Sequence, residues 1–282
     1  MKTIITLKKV SLATFLTFVL SFSSVFAQND TMYIMKSGAI VGQYNVNTEV
    51  DSVIFYKPTI EETTSGTFID SRDGNEYNWV QIGNQVWMAE NLAYLPSVNM
   101  VADGSEDAAG SYYYVYGYDG TNVADAKATD NYATYGVLYN WTAAMDGEAS
   151  STTNPSGIQG VCPAGWHVPS HAEWTELTDY LGGESVAGGK LKETGTTHWA
   201  SPNTGATNET GFTALPGGYR NDRGSFSDVG TFNRIGSNGY WWSATEGNAT
   251  IAWDLNIFLN YSYVLRFYYY EEVGFCVRCV RD

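Results

Sequence analysis

Apolar and polar positions alternate most clearly near the end of the chain. Ile251, Trp253, Leu255, Ile257 and Leu259 interleave with Ala252, Asp254, Asn256, Phe258 and Asn260. This period of two predicts a strand with one buried face and one largely polar, solvated face. On that reading Asp254, Asn256, Phe258 and Asn260 point away from the core. Phe275, Val277 and Cys279 predict a last short strand. Near the other end, Met32 to Met35 and Ile40-Val41 flank the turn-forming Lys36-Ser37-Gly38, and Val50, Val53 and Phe55 follow as a third apolar set. Residues 28–56 therefore read as a small β unit. The polar stretch 57–65 contains a proline and reads as a linker. The larger domain, 66–282, opens with Thr67 to Asp70, then Asp73-Gly74, then Tyr77 to Ile82. Asp-Gly between apolar runs predicts a tight hairpin, because both residues tolerate positive φ. Gly83-Asn84 leads on into Val86-Trp87-Met88. One helix carries start and stop signals: Ser170 and Glu173 fit a capping box, Trp174, Leu177 and Leu181 share a face, and Gly182-Gly183 ends it. A shorter helix is predicted from Tyr139 to Met145, and Ser97 to Asp130, without a clear period, reads as long loops. This order of strands, few helices, loops and strands predicts an α+β domain with small antiparallel sheets.

The first 27 residues stand apart. Lys2, Lys8 and Lys9 precede the uncharged run Val10 to Val25, and Val25-Phe26-Ala27 offers small residues at the positions a signal peptidase reads. Residues 1–27 thus predict a cleaved signal peptide and export to the periplasm, the cell surface or the medium. The apolar run is short and holds Ser and Thr, which argues against a retained anchor, and no other stretch is apolar enough to span a bilayer. The formal net charge is −15 with only 16% charged residues. That balance excludes nucleic acid and anionic lipid as natural partners, since both demand clustered Lys and Arg.

Aromatic residues reach 15%, and the tail from Gly239 onward mixes them with Asn and Ser. Rigid rings beside adaptable amides suit a recognition surface, so the tail predicts binding rather than catalysis. The candidate ligand-binding face comprises Asp254, Asn256, Phe258 and Asn260, extended by Tyr261, Tyr263, Arg266, Tyr268 and Tyr270. Its expected partner is a glycan or a protein surface outside the cytoplasm. No catalytic residue is assigned. There is no Gly-X-Ser-X-Gly elbow, and Leu215-Pro216-Gly217-Gly218 lacks the lysine and the following helix of a phosphate loop. His167 and His171 have the spacing of a zinc pair on one helix, but Pro169 and the cap at Ser170 intervene, so a loop histidine and a first-turn histidine are the simpler reading. Cys162, Cys276 and Cys279 predict one disulfide and one spare thiol in an exported chain. Cys276 and Cys279 form a Cys-X-X-Cys pair, yet in a β-like run they point to opposite faces, where neither a mutual bond nor redox activation is favoured.

A set of motifs carries a resemblance. Asn84 to Leu92 (NQVWMAENL), Tyr135 to Trp141 (YGVLYNW) and Cys162 to Pro169 (CPAGWHVP) stand in order. Glu173-Trp174, Gly211-Phe212, Leu215 to Gly218, Tyr240-Trp241-Trp242-Ser243 and Gly274 to Val280 follow. From Gly66 to Asp282 the chain resembles the Fibrobacter succinogenes major paralogous domain, and the N-terminal β unit resembles a short segment common in secreted proteins of related bacteria. The family is similar to the C-type-lectin-like fold and, more loosely, to the domain of formylglycine-generating enzymes. The resemblance implies a C-type-lectin-like domain with closely placed ends, long loops and a small antiparallel sheet bearing a ligand face. It names no ligand. It favours a Cys162–Cys279 bridge over Cys162–Cys276, since Cys279 stands at the family position and Cys276 replaces a usual serine. Sugar-binding C-type lectins use a carboxylate-bearing Pro triplet and a Trp-Asn-Asp strand. Ser201-Pro202-Asn203 and Trp253-Asp254-Leu255-Asn256 match neither, so no cofactor is expected. The acidic loop Asp103 to Asp107 offers oxygens for a structural calcium ion, against the simpler reading of a solvated loop. Some bacterial C-type-lectin-like proteins diversify a C-terminal segment, and Trp253 to Tyr270 has the composition of one, against an ordinary aromatic sheet. The function so implied is exported, non-enzymatic ligand binding. The alternatives are an oxidase-like enzyme and a structural part of a surface assembly.

Overall fold

The computed structural model describes residues 31–36, 39–45, 48, 64–104, 107–221 and 230–282. The predicted signal peptide at 1–27, the apolar set Val50, Val53 and Phe55, and the predicted linker up to residue 63 lie outside the described residues. The chain divides into two units, Met1–Glu62 and Thr63–Asp282. In the first, β1 (Thr31–Lys36) and β2 (Ala39–Asn45) form the expected antiparallel hairpin. Tyr33, Ile34, Ile40, Val41 and Tyr44 are exposed on it.

The second unit is α+β, with several small antiparallel sheets and short helices. Its opening meander follows the predicted pattern: β3 (Ser65–Ile69), β4 (Glu76–Ile82) and β5 (Gln85–Met88). Gly74 takes φ +80° and donates its N–H to the Asp70 carbonyl at 2.8 Å, closing the Asp-Gly turn. The sheet is completed from elsewhere in the chain. Its order is β3-β4-β5-β14-β8, with β8 at Trp166–His167 and β14 at Val280–Arg281. Small two-stranded pairs join β6 (Tyr113–Tyr114) to β7 (Leu138–Tyr139) and β9 (Tyr219–Arg220) to β10 (Phe232–Asn233). The last sheet runs β11 (Asn238–Asn248), β12 (Ile251–Phe258), β13 (Val264–Tyr270).

The loop region holds two short helices, α1 (Val123–Lys127) and α2 (Asp130–Tyr135), capped by the Asn122 and Thr129 side chains. Both are too short to show a helical period. In α3 (Trp141–Met145) the helix predicted from Tyr139 starts two residues later, because Asn140 accepts from the Ala143 N–H and Leu138–Tyr139 is strand. In α4 (His171–Tyr180) the capping box of Ser170 and Glu173 is present. The sequence pattern does not predict the helix α5 (Glu184–Leu191), which carries Gly188-Gly189 in its interior, and glycine is a poor helix former. Those glycines let the helix touch other backbone: a Cβ at Gly188 would stand 2.4 Å from the Tyr263 carbonyl oxygen, and one at Gly189 2.4 Å from that of Gly205. The predicted strand at Phe275–Cys279 is replaced by single bridges at Gly274, Phe275 and Cys276, which tie β9, β7 and β11 together before β14 begins.

Two apolar clusters fill the unit. One gathers Met88, Tyr139, Trp141, Trp242, Phe275 and Val277. The other lies against α4 and α5 and holds Trp87, Trp174, Leu177, Phe212, Trp241 and Leu255. Cys162 and Cys279 form a disulfide across 117 residues of sequence. A buried polar hub sits between the clusters. The Asn91 carbonyl oxygen accepts from Trp241 Nε1 and Arg278 Nη2, both at 2.8 Å, and its amide donates to the Tyr135 carbonyl at 3.0 Å. Arg278 also donates to the Phe212 carbonyl and stacks on the Phe212 ring, and burial draws its pKa down to about 9.

Candidate functional site

The sheet β11-β12-β13 carries the predicted ligand face, and its two sides differ. On one side Leu255, Ile257 and Val264 are buried against α4 and α5. On the other, Asp254 and Asn256 pair across the sheet with Trp242 and Tyr240 of β11 and with Phe267 and Leu265 of β13. Tyr240, Trp242, Tyr269 and Phe275 pack over the same region, with Tyr240 and Phe275 stacked at 4.9 Å and Tyr240 and Tyr269 edge-to-face at 6.1 Å. Asp254 and Asn256 are consequently 1% and 2% exposed, which corrects the expectation that they face solvent. The alternating pattern is right for the strand, but a second aromatic layer covers its polar face. No hydrogen bond of normal geometry reaches either Asp254 oxygen or Asn256 Oδ1. Burial pushes the Asp254 carboxyl well above the usual carboxylate range, outweighing the Asn256 side chain and the Phe267 amide nearby.

The remaining predicted residues fall at the surface. Phe258 is half-buried and Asn260 exposed, at the turn leading to β13. Tyr261 and Tyr263 stack on each other at 4.5 Å, both edge-on to Phe258. Lys192 holds this turn from beneath: its Nζ donates to the carbonyls of Thr204 at 2.8 Å, Phe258 at 3.2 Å and Tyr261 at 2.9 Å, and burial pulls its pKa down to about 8. Tyr268 and Tyr270 are exposed on β13, together with Leu265 and Phe267, which the sequence reading did not include. The strand lies at the edge of its sheet, so side chains of both faces reach solvent there, a signal that alternation on β12 alone does not contain. Arg266 is anchored rather than free: Nε donates to Glu184 at 2.8 Å, and the guanidinium also reaches Thr175. Beside it Trp253 meets Tyr268 edge-on at 5.6 Å and the His171 ring at 4.5 Å.

Glu246, Glu271 and Glu272 gather where β13 ends. Burial and these two neighbours raise the Glu271 pKa to about 7, and Glu271 Oε1 and Glu272 Oε2 have no hydrogen-bond partner.

The other candidate groups serve the frame. The His167 ring lies between Asp282, 2.7 Å from Nδ1, and Glu173, 2.6 Å from Nε2. Burial opposes its protonation, but the bonds to Glu173 and Asp282 prevail and raise its pKa. His198 sits 2.9 Å from Glu193. Among the described residues no three acidic, histidine or cysteine side chains converge as a metal site, and the acidic loop is described only in part. Cys276 is buried outside the disulfide, and its surroundings push the thiol up to about 12, the reverse of a redox cysteine. Among the described residues no helix is long and apolar enough to cross a membrane.

The residues that carried the resemblance are core. Trp87, Leu92, Trp174, Phe212, Trp241, Trp242 and Phe275 are all 0–1% exposed. The exposed rings of β13 fall between these motifs. A family model described as the Fibrobacter succinogenes major domain matches residues 80–281. Neither a curated protein nor a solved structure matches the chain.

Proposed function

The chain belongs to the Fibrobacter succinogenes major domain family, and on that premise we propose that it is an exported, non-enzymatic binding protein. Its ligand face is the ring-bearing stretch from Asn260 to Tyr270, and its ligand is a carbohydrate or a protein surface. One observation carries this reading. Elsewhere among the described residues of the second unit the exposed large apolar side chains are scattered, at Ile69, Met100, Tyr180 and Val186, whereas Tyr261, Leu265, Phe267, Tyr268 and Tyr270 crowd one strand and its preceding turn. A contiguous exposed apolar patch on a well-packed domain marks an interaction site. Tyr rings give contact area at small entropy cost. The anchoring of the turn by Lys192 and of β13 by Arg266 holds the face in shape before any ligand arrives. Export accords with the disulfide, a bond that persists in oxidising compartments.

The test is an array of glycans and extracellular proteins probed with the protein, with and without calcium, followed by the paired change Phe267→Ala and Tyr268→Ala. Each ring truncation at a binding hot spot costs about 1–2 kcal/mol, so capture should weaken at least tenfold. Both rings are exposed, so the urea midpoint should not move. Undiminished capture by the paired variant would show that the ligand sits elsewhere.

A further inference from the structure

β13 is an edge strand with β12 on one side. The Glu271 N–H donates to the Thr250 carbonyl at 3.2 Å, in register with the β12–β13 ladder. Antiparallel ladders alternate, so Leu265, Phe267 and Tyr269 turn their backbone groups toward β12. The N–H and C=O groups of Arg266, Tyr268 and Tyr270 therefore point outward; the Tyr270 carbonyl accepts from the Val273 N–H at 3.1 Å, and no described backbone group bonds to those of Arg266 and Tyr268 there. Natural edges are blunted by Pro, Lys or bulges. The sequence VLRFYYY of β13 has neither Pro nor Lys, and its ladder runs from Val264 to Tyr270 without a register shift.

The charge at the end of this edge is uncompensated. Glu271 is 6% exposed with Oε1 unpartnered, and Glu246 and Glu272 act on it electrostatically. Among the described residues none of the ion pairs includes any of these three carboxylates. The nearest cation on the strand, Arg266, is already paired with Glu184.

We propose that the open edge of β13 takes up an extended, positively charged peptide segment as a fourth strand of the β11-β12-β13 sheet, with a Lys or Arg of the partner seated against Glu271 and Glu272. The inference rests on the ligand-face reading above and names its partner class. Outward backbone groups at every second residue match the repeat of another strand, a regularity that a sugar ring does not need. A second copy of the chain would bring the same acidic end and a net charge of −15, so like charges oppose self-pairing.

The probe is a synthetic peptide of about eight residues alternating Lys and Val, long enough to cover one strand. It is compared by calorimetry with a Glu-Val counterpart and with a copy N-methylated at alternate amides. The Lys-Val peptide should bind, more weakly as salt rises. Methylation on the pairing side removes two or more backbone bonds and should weaken binding at least tenfold. The paired change Glu271→Gln and Glu272→Gln should weaken it about fivefold. Equal binding of the methylated copy or of the Glu-Val peptide would overturn the inference, as would no binding of the Lys-Val peptide or β13-dependent dimerisation in sedimentation. If the Lys-Val peptide fails while the Phe267 and Tyr268 changes abolish capture on the array, strand addition falls and the ring face stands. If the peptide binds and array capture ignores those rings, the ring face falls instead.

Discussion

Asp254 shows what a single buried side chain costs. Neither of its oxygens receives a hydrogen bond of normal geometry, and burial holds its carboxyl well above the usual range despite the Asn256 side chain and the Phe267 amide nearby. The folded state therefore holds a proton that the unfolded chain releases near pH 4. Above that pH the unfolded state binds fewer protons, so this group's contribution to stability falls as pH rises toward its folded pKa. Asp254→Asn removes the titration. The variant should be more stable than the wild type by about 1–3 kcal/mol at pH 8 and close to it at pH 4, in urea melts at the two pH values. No gain at pH 8 would mean that the carboxyl has a partner. The alternation around Asp254 was legible in the sequence, and so was its strand. Its burial was not, because the rings that cover it come from the neighbouring strands β11 and β13 and from the Phe275 bridge, beyond what a period of two on β12 itself records.

Among the elements, α4 announced itself because its cap, its apolar spacing and its glycine stop are all local. The helix α5 did not, because its glycines answer to a tertiary demand. Helix propensity alone predicts that Gly188→Ala adds up to about 1 kcal/mol. The close approach of the Tyr263 carbonyl predicts the opposite sign. A loss of about 2 kcal/mol in chemical denaturation is expected, the size of an overpacked contact. The same change should disturb the Tyr261–Tyr263 stack, read as a shift in tyrosine fluorescence. A stabilised variant would show that α5 has room to move. β13 was legible only as a run of rings, since its place at the sheet edge depends on which strands pair.

Across the whole molecule the two ends of the second unit are joined by packing and by sulfur. The five-stranded sheet starts at β3 and closes on β14. The Cys162–Cys279 bond ties the segment before α4 to the chain just before β14. It closes a loop of 117 residues of separation, for which the chain-entropy relation gives about 5 kcal/mol. The paired change Cys162→Ser and Cys279→Ser should lower the unfolding free energy by about that amount in urea melts. An unchanged midpoint would mean that packing alone holds the ends. The family resemblance was legible because its motifs are core residues, which the fold constrains closely. The proposed binding stretch was harder to delimit because an exposed edge is constrained far less. After β13 the chain returns at once to the interior through Phe275 and Cys276, just as it enters β12 from the buried β11. The rings from Tyr261 to Tyr270 therefore hang between two fixed posts. On the proposed reading such a stretch is a cassette: its outward-facing side chains are open to exchange while the posts and everything behind them keep their shape.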